Sequence, residues 1–175
     1  MVNTSISDIA SRIIKNRAKA KWQYGRLTAD TYPGQYVVLV SGKWVKGDTD
    51  TAAHRLLRGG ILDYASRKND DGDTPTIDEV YDINNEPATD KVDICTSGIC
   101  AAFITDPATT IYPGQSLGIS DTAGDLKVLA LEATGATSGT ALRQIKVATL
   151  LRKMVSGDTK GIVGIGEFME KRSAY

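Results

Sequence analysis

A chain of 175 residues with 41% hydrophobic and 24% charged side chains holds enough apolar material for one ample core or two compact ones, which excludes a disordered polypeptide. Its 21 Lys and Arg balance 21 Asp and Glu, so no net charge draws it to nucleic acid or to a membrane surface. No apolar run reaches the roughly 18 residues that span a bilayer, and the N-terminus lacks the apolar core of a secretion signal, so the sequence reads as neither membrane-inserted nor exported by a cleaved signal.

The neutrality conceals segments. Residues 1–30 carry six basic and two acidic side chains, residues 63–93 three and ten, and residues 141–175 seven and three. Such asymmetry suits contact between copies or with a partner of complementary charge, the plain alternative being scattered solvated faces.

In chain order, SISDIASRIIKNRAKAK places Ile6, Ile9, Ala10, Ile13 and Ile14 at offsets of three and four, with Arg12, Lys15 and Lys19 opposite, which predicts an amphipathic helix. Ser5 with Asp8 three residues on fits its N-terminal cap. The isoleucine stripe needs a cover, either the protein's own body or a neighbouring subunit. The segment 1–23 is therefore read as a basic arm, with Ile6, Ile9, Arg12, Ile13, Lys15, Arg17 and Lys19 as candidate contact residues.

Beyond it the pattern turns to β. QYVVLVSGKWVKGD predicts two strands about a Ser41-Gly42 turn, and SLGISDTAGDLKVLALEA repeats the plan about Asp121–Asp125. Both follow the same tetrapeptide, Tyr32-Pro33-Gly34-Gln35 and Tyr112-Pro113-Gly114-Gln115, 112 − 32 = 80 residues apart. Proline presets φ and glycine supplies a positive φ, so each tetrapeptide is a sharp corner entering a strand. GGILDYASRK and TIDEVYDI read as strands about an exposed NDDGDTP loop, and KVDICTSGICAAFI as a hairpin around Thr96-Ser97-Gly98. TSGTALRQIKVATLLRKM fits a strand better than a helix, and GDTKGIVGIGEFME gives a turn and a final strand. The chain is thus expected to be mainly β, a barrel-like body over 24–175 with two related β-rich halves, 24–90 and 91–175, behind the N-terminal helix.

Site chemistry is sparse. His54 is the single histidine and no G-x-S-x-G nucleophile accompanies it, so no catalytic triad is expected. Cys95 and Cys100 with one histidine cannot complete a tetrahedral zinc site; their spacing permits a disulfide, while buried thiols are the alternative. Asp70, Asp71 and Asp73 resemble calcium ligands, but setting Gly72 at the sixth loop position puts Arg67 and Asn69 where ligands belong. Gly161, Gly164 and Gly166 run in the wrong order for a dinucleotide fingerprint and suit close backbone approach in a strand. No catalytic residue, cofactor or metal is expected. Single-stranded nucleic acid is a weaker reading, resting on the basic arm with Trp22 and Tyr24 nearby.

CAAFITDPATTIYPGQSLGIS, GDLKVLALEATGA and the closing GDTKGIVGIGEF together resemble the decoration, or cement, proteins of tailed bacterial and archaeal virus heads, which are small β-barrel or β-tulip proteins. The resemblance covers most of residues 24–168 in style and leaves the arm outside it. It implies a non-enzymatic virion protein on the capsid exterior, made in the host cytoplasm. Its implied partners are the major capsid protein and further copies of itself, with a trimer favoured. The alternatives are a head-to-tail or tail component, or a single-strand binder.

Overall fold

The computed structural model describes residues 20–51, 54, 57–63, 92–105, 107–129 and 145–169. The predicted helix of the arm, the TIDEVYDI strand and the acidic loop lie outside them.

The described chain is mainly β. Nine strands run β1 Lys21–Gly25, β2 Tyr36–Val40, β3 Lys43–Lys46, β4 Gly59–Leu62, β5 Val92–Phe103, β6 Ser116–Ile119, β7 Leu126–Val128, β8 Ala148–Leu150 and β9 Lys160–Ile165. All ladders between them are antiparallel, in the order β3-β2-β4-β5-β9-β8-β6-β7 with β1 also on β5.

The ladders follow one plan twice. In the first set Val38 faces Val45 in β2/β3, and in the second Gly118 faces Lys127 in β6/β7. Val37 faces Gly60 as Leu117 faces Ala148, and Leu62 faces Ile94 as Leu150 faces Val163. Finally, Gly25 to Trp22 face Val92 to Cys95, just as Ala102 to Ile99 face Gly161 to Gly164. The repeated unit is therefore β1 to the first half of β5, then the second half of β5 to β9. Each unit curls until its first strand's continuation touches its third strand in parallel, at Leu27 with Trp44 and at Ile104 with Leu126. This gives two related β-rich halves, with the junction inside β5, between Ser97 and Gly98, where the sequence alone suggested 90/91.

One sequence expectation is overturned. KVDICTSGICAAFI is a single twelve-residue strand, not a hairpin around Thr96–Gly98. A hairpin needs its arms to pair with each other, whereas here Val92–Ser97 pairs with β1 and β4, and Gly98–Phe103 pairs with β9. The reversal seen in the sequence is a bulge: Lys21 faces Ser97 while Trp22 faces Cys95, leaving Thr96 over. The bend brings the Cys95 and Cys100 thiols into hydrogen-bonding contact, and both cysteines are free and buried.

The shared strand lets both units bury one core. Tyr36, Val38 and Ile61 of the first unit join Leu117, Ile119, Leu126, Leu150 and Met154 of the second in a single cluster. Each such aliphatic side chain contributes about 1.5–3 kcal/mol on burial. A smaller cluster of Val37, Trp44, Leu62, Val92 and Ile94 fills the other face of the first unit. Tyr36 is placed so that its hydroxyl accepts the Gly59 N–H at 2.6 Å, and burial pushes its pKa up to about 12.

Gly59 marks the tightest approach in the sheet. A Cβ there would fall on the Val37 carbonyl oxygen, which is backbone and cannot swing aside. Gly59→Ala is expected to destabilise the fold by at least about 2 kcal/mol in urea denaturation, while exposed Gly157→Ala, with open space around it but a φ of +94°, costs about 1 kcal/mol or less.

Candidate functional site

The two Tyr-Pro-Gly-Gln corners have the same bonding, group for group. In the first, Gln35 N–H donates to the Tyr32 carbonyl at 3.0 Å, and the Gln35 side-chain oxygen accepts the Tyr32 N–H at 2.9 Å. In the second the distances are 3.3 and 2.7 Å for Gln115 and Tyr112. The glycines take φ +94° and +95°, the left-handed region that a type II turn requires at that place. Each corner then clips to a strand end: Gly34 N–H donates to Leu62 C=O and Leu62 N–H to Gln35 C=O, as Gly114 does with Leu150 and Leu150 with Gln115. The four residue types are repeated because each does a separate job, with glutamine closing the corner and tyrosine left on the surface.

Both tyrosine rings are exposed, 39% for Tyr32 and 59% for Tyr112. The Tyr32 ring lies 6.2 Å from that of Phe103, over which the Lys160 ammonium sits at 4.8 Å; Lys153 sits 5.9 Å from the Tyr112 ring. Val155, also exposed, follows the Met154 bridge to Ile111. Aromatic rings with cations over them, on rigid corners, can bury surface at little entropic cost, which is a property of docking faces.

The second notable feature joins the units. At the base of the β2/β3 hairpin Gly47 N–H donates to Tyr36 C=O at 2.9 Å, but Tyr36 N–H is turned to Gly124 C=O at 2.6 Å, and Gly124 N–H donates to Gly47 C=O at 2.8 Å. One residue of the β6–β7 turn is thus threaded into the open end of another hairpin. Gln35 supports it, its amide donating to Ala123 C=O at 3.3 Å, and Thr49 N–H reaches Ser120 C=O at 3.2 Å. Asp125 is carried into this junction, where burial raises its pKa above its ordinary value against the opposing pull of the Gln35 amide and Lys46.

A groove of about 350 Å³ lies where the units meet, lined by Gln23, Arg58, Thr96, Lys146, Val147 and Met169 among others. Its charged side chains are the cations Arg58 and Lys146, with no carboxylate, imidazole or thiol among the described lining.

The other sequence candidates disperse. Arm residues Ile6, Ile9, Arg12, Ile13, Lys15, Arg17 and Lys19 and the acidic Asp70, Asp71 and Asp73 lie outside the described residues. His54 sits in a turn, its N–H on Thr51 C=O at 2.9 Å, and its Nδ1 meets no hydrogen-bond partner among the described residues. Gly161 and Gly164 face Met154 and the Phe168 backbone so closely that a Cβ would need them to move, and Gly166 ends β9 with φ +58°. The hydrogen bond to Cys95, then burial, hold the Cys100 thiol well above its ordinary pKa, as suits an inert core group. Among the described residues no group of three or more His, Cys, Asp or Glu could hold a metal ion. Sequence reasoning missed Gly124; its signal was the two extra residues of Asp121–Gly124 over the corresponding Ser41-Gly42 turn.

No protein-family model matches the chain, and no curated protein matches it in sequence. Its fold is similar to that of a chain in the solved capsid of Myoviridae Phage XM1, with a TM-score of 0.50 and 12% identity over 89% of this chain and 88% of that one. At such identity the likeness shows a shared fold.

Two measurements check the geometry. Gln35→Ala is expected to cost about 1–3 kcal/mol in urea denaturation, because it strips a buried amide that serves both units, and Gln115→Ala, in the open counterpart, under about 1 kcal/mol. Because the folded pKa of Asp125 is raised, its charge penalises the fold above that pKa and the penalty is relieved as pH falls through it. Asp125→Asn should therefore stabilise the protein at neutral pH, with the two melting curves converging below the carboxylate range.

Proposed function

We propose that this chain is a virion structural protein that decorates a capsid, docking on the lattice of the major capsid protein as a homo-oligomer, with no catalytic step. The observation that carries the reading is the fold shared with a phage capsid chain over nearly nine-tenths of both. The surface supports it. A shell protein gains strength from modest contacts repeated by symmetry, and this chain presents the same tyrosine corner twice on a stiff double body. The basic arm adds an apolar stripe and cations that a neighbouring subunit would cover.

The test is addition of the purified full-length chain to heads that lack it, followed by sedimentation. Saturable binding at a fixed number of copies per capsomer, on the outer surface, is the expected result. Failure to sediment with heads, or labelling confined to the neck or tail, would overturn decoration in favour of a head-to-tail or tail component. For the arm, replacing Ile9 and Ile13 by Asp should weaken head binding by roughly tenfold or more, the burial of two isoleucines being at stake; unchanged occupancy would remove the arm from the account.

A further inference from the structure

The junction between the units is made once, although its parts occur twice. In the first unit the opening between Tyr36 N–H and Gly47 C=O holds Gly124. The second unit carries the same opening: Leu129 N–H donates to Ser116 C=O at 2.9 Å, matching Gly47 and Tyr36, with Gln115 in the place of Gln35. Yet outside the strand ladders no backbone bond among the described residues reaches Ser116 N–H or Leu129 C=O, and Ser116 turns the carbonyl that accepts Leu129 N–H to that same edge. All three residues are partly exposed.

The inserted piece is also duplicated. By the β3/β7 correspondence Gly124 matches Gly42, since 124 − 42 = 82, the same offset that relates Val45 to Lys127. Gly42 takes φ +78° against +90° for Gly124, so its backbone is set in the same left-handed region. Ser41 and Gly42 are exposed, and a Cβ on Gly42 would meet no described atom within 4 Å. The strands β2 and β6 correspond at an offset of 80, so the Ser41-Gly42 turn is 82 − 80 = 2 residues shorter than its counterpart and does not reach the opening of its own chain. Among the described residues one opening of this kind is therefore unfilled, and one matching glycine turn is unused.

We propose that the opening formed by Gln115, Ser116 and Leu129 receives the Ser41-Gly42 turn of a second copy of this chain. Gly42 C=O accepts the Ser116 N–H, Gly42 N–H donates to Leu129 C=O, and the Gln115 amide braces the turn, as Gln35 does within the chain. The contact is heterologous, so successive copies join head to tail and close into a ring where the rotation allows. The proposal deepens the self-associating part of the reading above and rests on it only in requiring more than one copy. Binding to heads is read in a separate experiment, so either can fail alone.

The test mixes two full-length single variants carrying tags of different mass, Ser41→Cys and Gln115→Cys, under mild oxidation. The native thiols, Cys95 and Cys100, are buried. A chain with both Gln35→Cys and Ala123→Cys serves as the benchmark and closes internally. The expected result is a mixed disulfide dimer at about tenfold or more the yield of Ser41→Cys with Gln115 intact and Ser156→Cys on the partner, since docking raises the local thiol concentration. Equal yields would overturn the proposal, as would a Ser41→Cys, Gln115→Cys double variant that closes within one chain. In parallel, the native mass of the unmodified protein should rise above one chain with concentration; a single-chain mass throughout would overturn it as well.

Discussion

A β-strand that ends one sheet and begins another must bend between the two jobs, and Val92–Phe103 does both. Its first half completes the first unit against β1 and β4, and its second half opens the second unit against β9. The bulge at Thr96 supplies the bend, and with it the two sheets share one hydrophobic cluster from Tyr36 to Met154. Had the strand run straight, each unit of five short strands would have needed a core of its own, and strands of three to six residues bury too little for that. The buried cysteines on either side of the bend belong to this packing.

The same duplication explains where the molecule is symmetric and where it is not. Both corners keep their tyrosine, proline, glycine and glutamine because every one of those groups is used twice. The hairpin turns diverge. Two added residues let Gly124 enter the base of the first unit's hairpin, while Ser41-Gly42 stays short and exposed. A fold made from two equal units thus acquires one internal junction and, among the described residues, one opening of the same kind that stays unfilled.

Much of this was legible in the residues. The tetrapeptide repeat gave both corners and the strands after them, because proline and glycine act locally and leave the same mark wherever they stand. Val37, Val38, Val45, Leu117 and Leu126 were visible as strand residues for the same local reason. The course of KVDICTSGICAAFI was not legible, since Thr96-Ser97-Gly98 suits a hairpin turn and a bulge equally and only distant partners, β1 and β9, decide between them. The wedge at Gly124 was hidden too: its hydrogen bonds join backbone groups, which no side-chain pattern records. The aromatic and lysine pairs at Phe103, Tyr112, Lys153 and Lys160 depend on register between strands far apart in the chain.

On the proposal above, one polypeptide carries two copies of a docking opening, one filled from within and one that receives another molecule. Amide hydrogen exchange, read residue by residue, addresses it directly. The Tyr36 amide is expected to be strongly protected at every protein concentration, and the Ser116 amide to exchange fast in the dilute protein and to slow as copies associate. A Ser116 amide protected as well as that of Tyr36 in the isolated chain, or one that stays fast in the assembled state, would contradict it.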